Sequence, residues 1–194
     1  MTAQISDRFI YRDQDYSLAG VNGEGLFEPS QYGLRPVAMC SACWRGYPCT
    51  YVIRDNQLLL EQLGISHGLE GGQRGKLTAP PPLNGRTAEA ARGRGVSVFG
   101  HKYTGLALPI RFSGGLLLAR DFIEELYVHM GFHPAWKFRE IHELILKDGQ
   151  LSQAYDRSSE MAGLRDGMQG KGECGDSEQI AAWIDRCFSL KYDW

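Results

Sequence analysis

The chain predicts an α+β fold: a mainly antiparallel sheet built from about four β-hairpins, two or three short helices and a C-terminal amphipathic helix. Three observations lead there. A basic residue, a short polar turn and an apolar strand start recur at Arg12-Asp13-Gln14-Asp15-Tyr16, Arg54-Asp55-Asn56-Gln57-Leu58, Arg111-Phe112-Ser113-Gly114-Gly115-Leu116 and Lys147-Asp148-Gly149-Gln150-Leu151. Asp-Asn, Gly-Gly and Asp-Gly tolerate the positive φ that two-residue hairpin turns require. Apolar residues alternate with polar ones beside these turns, whereas spacing at three and four is confined to short stretches.

In order along the chain, Phe9 to Val21 reads as the first hairpin, with Phe9 and Tyr11 entering and Tyr16 and Leu18 leaving. Pro29 and Pro36 make 26–36 a loop. Thr50 to Leu63 forms the second hairpin, and the unbroken Leu58-Leu59-Leu60 implies a strand covered on both faces. Residues 64–100 hold Gly71-Gly72, Pro80-Pro81-Pro82 and Asn84-Gly85, the composition of a long connection. Arg74, Lys76, Arg86, Arg92 and Arg94 against Glu70 and Glu89 bias that loop to positive charge, and Thr87 can cap a short helix through Arg92. Such a loop is a solvated connection or a cover for a substrate or partner.

Leu106 to Leu118 reads as the third hairpin, turning at Ser113-Gly114-Gly115. Phe122, Leu126 and Met130 have helical spacing up to Gly131, and Pro134 suits the first turn of a helix to Glu140. The last hairpin joins His142–Leu146 to Leu151–Tyr155, and Asp156 or Ser158 caps a helix up to Arg165. The expected organisation is one domain over 1–166, a glycine-rich link over 167–175 and an amphipathic helix over 176–194. Ile180, Trp183, Ile184, Cys187 and Phe188 form its apolar stripe, which must dock on the domain, a second copy or a partner.

With 194 residues, 43% of them hydrophobic and 23% charged, the chain is long enough for a core without staples. A formal charge of −2 supplies no field for nucleic acid or for an anionic membrane, so neither partner is expected. No apolar run reaches the ~18 residues of a membrane span. The first residues carry acids and no apolar core, so a secretory signal is not expected either. Five cysteines, an odd count, then point to reduced thiols and a cytoplasmic location.

Two segments carry unusual chemistry. Cys40-Ser-Ala-Cys43 has zinc-ligand spacing, and His129 and His133 form a His-x3-His pair. Gly131 between the histidines and the long separation of the pairs argue against a combined site, so neither metal nor cofactor is expected. Free cysteines among Val37, Met39, Trp44 and Tyr47 otherwise read as small buried hydrophobes. For nucleophilic catalysis, the candidates are Cys43 (or Cys49) with His129 or His133 as base, beside Arg45 as the cation that lowers the thiol pKa. For ligand binding, Trp44, Arg45, Tyr47, His133 and Trp136 would form an aromatic-basic pocket for a small anionic ligand, if the two segments meet. Otherwise Trp44 and Trp136 fill the core, and His142 is a surface or cross-strand residue.

The expected function is a cytosolic binding or interaction protein, of immunity or regulatory type, with a protein partner or homodimer formed through the C-terminal helix. The other reading is a small hydrolase or transferase using Cys43 or His129/His133 with Arg45 as anion anchor. The residue types alone leave open whether the chain is an enzyme.

Overall fold

A computed structural model describes residues 2–24, 26–70, 76–90, 99–168 and 189–192. The strands are β1 (Arg8–Tyr11), β2 (Gln14–Glu24), β3 (Cys49–Arg54), β4 (Gln57–Ile65), β5 (Leu69–Glu70), β6 (Lys76–Leu77), β7 (Glu89–Ala90), β8 (His101–Tyr103), β9 (Leu108–Pro109), β10 (Ser113–Phe122), β11 (Phe138–Lys147) and β12 (Gln150–Asp156). Among the described residues a single α-helix, α1 (Ser158–Met168), follows them. Seven strands close into a barrel in the order β12-β11-β10-β2-β1-β3-β4, the seam being Gln150 of β12 opposite Gln57 of β4. β1 and β3 run parallel, with Phe9 opposite Tyr51, and the other barrel pairs are antiparallel.

The barrel corrects the α+β sheet with several helices expected from the sequence. Hairpin signals are local, and closure depends on a seam between strands far apart in sequence, which no turn motif encodes. Three of the four repeated motifs are two-residue turns with positive φ at both positions: Arg12 and Asp13 (51° and 58°), Asp55 and Asn56 (49° and 60°), Asp148 and Gly149 (48° and 79°). The motif at Ser113-Gly114-Gly115 is not a turn. It starts β10, where Gly114 lies between Gly23 of β2 and Leu146 of β11. A Cβ on Gly114 would stand 2.0 Å from the Asn22 carbonyl oxygen, so this glycine serves close backbone approach.

The expected helices are also corrected. Over 121–130 there is one 3-10 turn, Glu124–Leu126, after Asp121 has taken a left-handed φ of 61°. Pro134 leads into a single 3-10 turn, Ala135–Lys137, because Phe138 and Glu140 are already paired with Phe122 and Arg120 of β10. Where a helix from Thr87 was expected, Glu89 and Ala90 form β7 against Lys102 and His101 of β8. Arg74, Arg92 and Arg94 lie outside the described residues, as does the stripe from Ile180 to Phe188. In 189–192, the Leu190 carbonyl accepts from Val21 N–H (2.6 Å) and Leu190 packs against the barrel core.

Alternation along the strands sorts side chains to the two sides of the wall. Phe9, Leu18, Tyr51, Leu58, Leu60, Leu116, Leu118, Leu144 and Leu146 fill the interior. Ala19, Leu117, Ala119 and Ile141 form an outer apolar layer covered by Ala135, Phe138 and Met161 of α1. Leu58, Leu59 and Leu60 are all buried, as the unbroken run implied. The start of α1 is tied down by Asp156, whose carboxylate accepts from Ser158 N–H (2.9 Å), and by Ser158 Oγ, which accepts from Ile141 N–H (3.1 Å).

Candidate functional site

The cysteine loop is built around a buried ion pair. Arg45 donates through both terminal guanidinium nitrogens to Asp7 (3.0 and 2.7 Å), and Cys49 N–H donates to the same carboxylate (2.8 Å). Asp7 is 1% exposed. Burial works against the Arg45 charge, but the charge and hydrogen bonds of Asp7 outweigh it and hold the guanidinium protonated. Arg45 also lies over the Tyr47 ring at 5.0 Å. Cys43 is 2% exposed, and burial raises its thiol pKa against a smaller opposing effect of Arg45. Cys49 is pushed up further, again by burial. Trp44 is 54% exposed, and its N–H donates to the Gln4 side chain (3.2 Å).

The histidine stretch gathers around a different set of rings. His133 lies 4.7 Å from Phe122 and 5.3 Å from Tyr127, ring to ring, and burial followed by Lys137 lowers its pKa. His129 shares a 2.8 Å hydrogen bond with the Tyr127 hydroxyl on the exposed side. Trp136 packs on the outer apolar layer, its carbonyl accepting from Arg165 (3.0 Å).

The N-terminal segment runs between these two stretches. Gln4 N–H donates to Gly131 (2.7 Å), and the next amide, Ile5 N–H, donates to Ala42 (2.8 Å). Consecutive amides thus bond opposite neighbours. Trp44, Arg45 and Tyr47 lie in the loop that bonds Ile5 and Asp7, whereas His133 lies among the rings of Phe122 and Tyr127 and Trp136 packs on the outer layer.

A well-connected polar group lies at the barrel end where the Arg12-Asp13 turn sits. Glu140 accepts from the Tyr16 hydroxyl (2.8 Å) and from Arg120 Nε (3.0 Å), and its Oε1 lies 3.2 Å from His142 Nε2. The His142 ring meets Tyr16 edge-on at 5.6 Å and Tyr11 at 6.0 Å. Burial raises the Glu140 carboxyl, but hydrogen bonds from Arg120, Tyr16 and His142 prevail and hold its pKa low. Burial, then Glu140, pushes the Tyr16 hydroxyl up to about 12. Every oxygen of Glu140 is engaged, so this network plugs the barrel end rather than offering a free acid or base. His142 is the cross-strand residue its alternation implied. Its same-face neighbours Leu144 and Leu146 are interior, and that parity is the signal by which Glu140 can be found from sequence.

Beside the plug, an open cleft of ≈ 500 Å³ has Ile10, Val52 and Leu151 as apolar lining, with Arg12, Asp13, Asp55 and Asn56 from two hairpin tips and Ser152, Gln153 and Ala154 from β12. Among the described residues β12 meets β4 only at Gln150, and beyond it Leu151 N–H reaches the Asn56 carbonyl (2.7 Å). From Ser152 to Asp156 the strand is exposed. Arg157 N–H donates to Ile141 (2.8 Å), which by antiparallel alternation turns the amides of Tyr155 and Gln153 toward β11 and those of Ala154 and Asp156 away from it. Among the described residues no ion pair engages Arg12, Asp13 or Asp55. A second groove, of ≈ 450 Å³ and floored by Ala119 and Phe122, differs on this point, because its Arg8 and Asp15 neutralise each other at 2.6 Å.

Among the described residues no group of three or more His, Cys, Asp or Glu is arranged to hold a metal ion, and no helix is long and apolar enough to cross a membrane. No family model, curated protein or solved structure matches the chain.

Proposed function

We propose that the chain is a cytoplasmic binding protein that takes up an extended segment of a partner protein along the outer edge of β12. The observation that carries this reading is the run of outward-turned backbone groups from Ser152 to Asp156 beside the ≈ 500 Å³ cleft. A strand edge with unpaired N–H and C=O groups is a template for strand addition, and adjacent hollows select alternate side chains of the incoming strand. Asp13 and Asp55 at the rim, with Asp156 at the end of the edge, outnumber Arg12 and favour basic side chains in the segment. Ile10, Val52 and Leu151 favour an apolar residue between them. The anion-binding role expected of Arg45 has less support, because Asp7 already engages its guanidinium.

Panning a phage-displayed heptapeptide library on the wild-type chain and on Ala154→Pro tests the proposal. Proline removes an outward N–H without touching the ladder to β11, a position where edge strands accept it. The wild type should enrich basic, alternating sequences, and the folded variant should enrich none. Equal enrichment on both proteins would refute it.

A further inference from the structure

The structure assigns a second site to His67 and His101, away from the β12 cleft: we propose that ring nitrogens of these two neighbouring histidines bind one borderline-soft divalent ion of the Zn²⁺ or Cu²⁺ class. His101 of β8 lies opposite Ile65 of β4, and His67 follows Ile65 by two residues, so the histidines are diagonal neighbours. Diagonal positions of that kind put side chains about 7 Å apart at their roots, a span that two imidazoles can close on a shared ion. His67 is 4% exposed, and among the described residues its Nε2 is buried without a hydrogen-bond partner. Nδ1 of His101 is in the same condition. Buried polar atoms left without partners are rare in folded proteins, and two on adjacent rings call for a common explanation.

Thr78 Oγ1 lies 3.3 Å from the His67 carbonyl and 3.1 Å from His67 Nδ1. With the hydroxyl donating to the carbonyl and Nδ1–H donating to Oγ1, Nε2 keeps a bare lone pair, and this is the tautomer that the proposal requires. A ligating histidine is held in this way, one ring nitrogen donating to a fixed oxygen and the other facing the metal. Imidazole pairs suit Zn²⁺ and Cu²⁺, and solvent would complete the coordination. The bond to Thr78 also joins the segment after β4 to the one after β6, so a bound ion would tie β8 to both.

The test uses the full chain, stripped with chelator and titrated with Zn²⁺ alone and Cu²⁺ alone by calorimetry, together with ¹⁵N shifts of the histidine ring nitrogens. One ion per chain is expected, with metal-dependent shifts at His67 Nε2 and His101 Nδ1. Binding should be lost in His67→Ala and in His101→Ala and kept in His129→Ala. Thr78→Val should weaken it about 10- to 100-fold, as loss of an orienting partner does. If the alanine variants do not fold, the wild-type ring-nitrogen shifts decide alone. No metal-dependent shift at those two nitrogens, or binding that survives both substitutions, would overturn the proposal.

Discussion

Replacing Arg45 with alanine tests whether this residue is a clamp of the fold or a free anchor for ligands. Two charge-assisted hydrogen bonds to Asp7 are lost, leaving a 1% exposed carboxylate with the Cys49 amide as its partner. Removing one member of a buried ion pair costs about 3–5 kcal/mol, since the remaining charge is uncompensated. The Arg45 side chain is itself 34% exposed, so water can enter where it stood, and the lower end, about 3 kcal/mol, is expected. For a chain of this size that corresponds to a melting shift of about 6–12 °C. Urea denaturation of wild type, Arg45→Ala, Asp7→Asn and the double variant closes the cycle. The double variant should be less destabilised than the sum of the singles by about 1–3 kcal/mol. A cost below about 1 kcal/mol for Arg45→Ala, or simple additivity, would refute the clamp and return Arg45 to the list of free anchors.

Other consequences follow from burial and charge. Glu140 has a depressed folded-state pKa, so its stabilisation is present above the unfolded value near 4.5 and fades as pH falls through the lower folded value. Thermal melts between pH 6 and pH 3 should therefore show a shallower acid loss in Glu140→Gln than in the wild type, even though the variant is less stable at pH 6. Gly114→Ala should lower stability by about 1–3 kcal/mol, because the added Cβ meets the Asn22 carbonyl at 2.0 Å where φ is 142°. A neutral effect in chemical denaturation would restore the hairpin reading of that motif. Under native conditions iodoacetamide should label Cys40 well before Cys43 and Cys49, as peptide mapping by mass spectrometry can show, because the latter two are each 2% exposed.

Much of the scaffold was legible because type I′ turns have residue requirements. Asp55-Asn56 and Asp148-Gly149 state theirs plainly, and Leu58-Leu59-Leu60 marked a strand buried on both faces. Gly114-Gly115 misled because glycine answers two demands, positive φ and close approach, and only the neighbouring strands distinguish them. Phe122, Leu126 and Met130 recur with helical period, yet they anchor an irregular loop: Phe122 lies against Phe138, and Met130 is buried beside Gly131, which bonds the N-terminal segment. Barrel closure was not legible, since the Gln150–Gln57 seam joins two polar residues with no pattern of their own. The same holds for the candidate site. Among the described residues nothing pairs with the outer edge of β12 beyond Leu151, and nothing within Ser152 to Asp156 announces that. The Asp7–Arg45 pair was hidden for a similar reason, its partners being brought together by the parallel contact of β1 with β3.

Amide hydrogen exchange along β12, followed residue by residue by NMR, tests the free edge most directly. Alternating protection is predicted, with Gln153, Tyr155 and Arg157 slow through their bonds to β11 and Ala154 and Asp156 exchanging near the rate of an open chain. Protection of Ala154 and Asp156 equal to that of their neighbours would mean the edge is already paired, and would contradict the account.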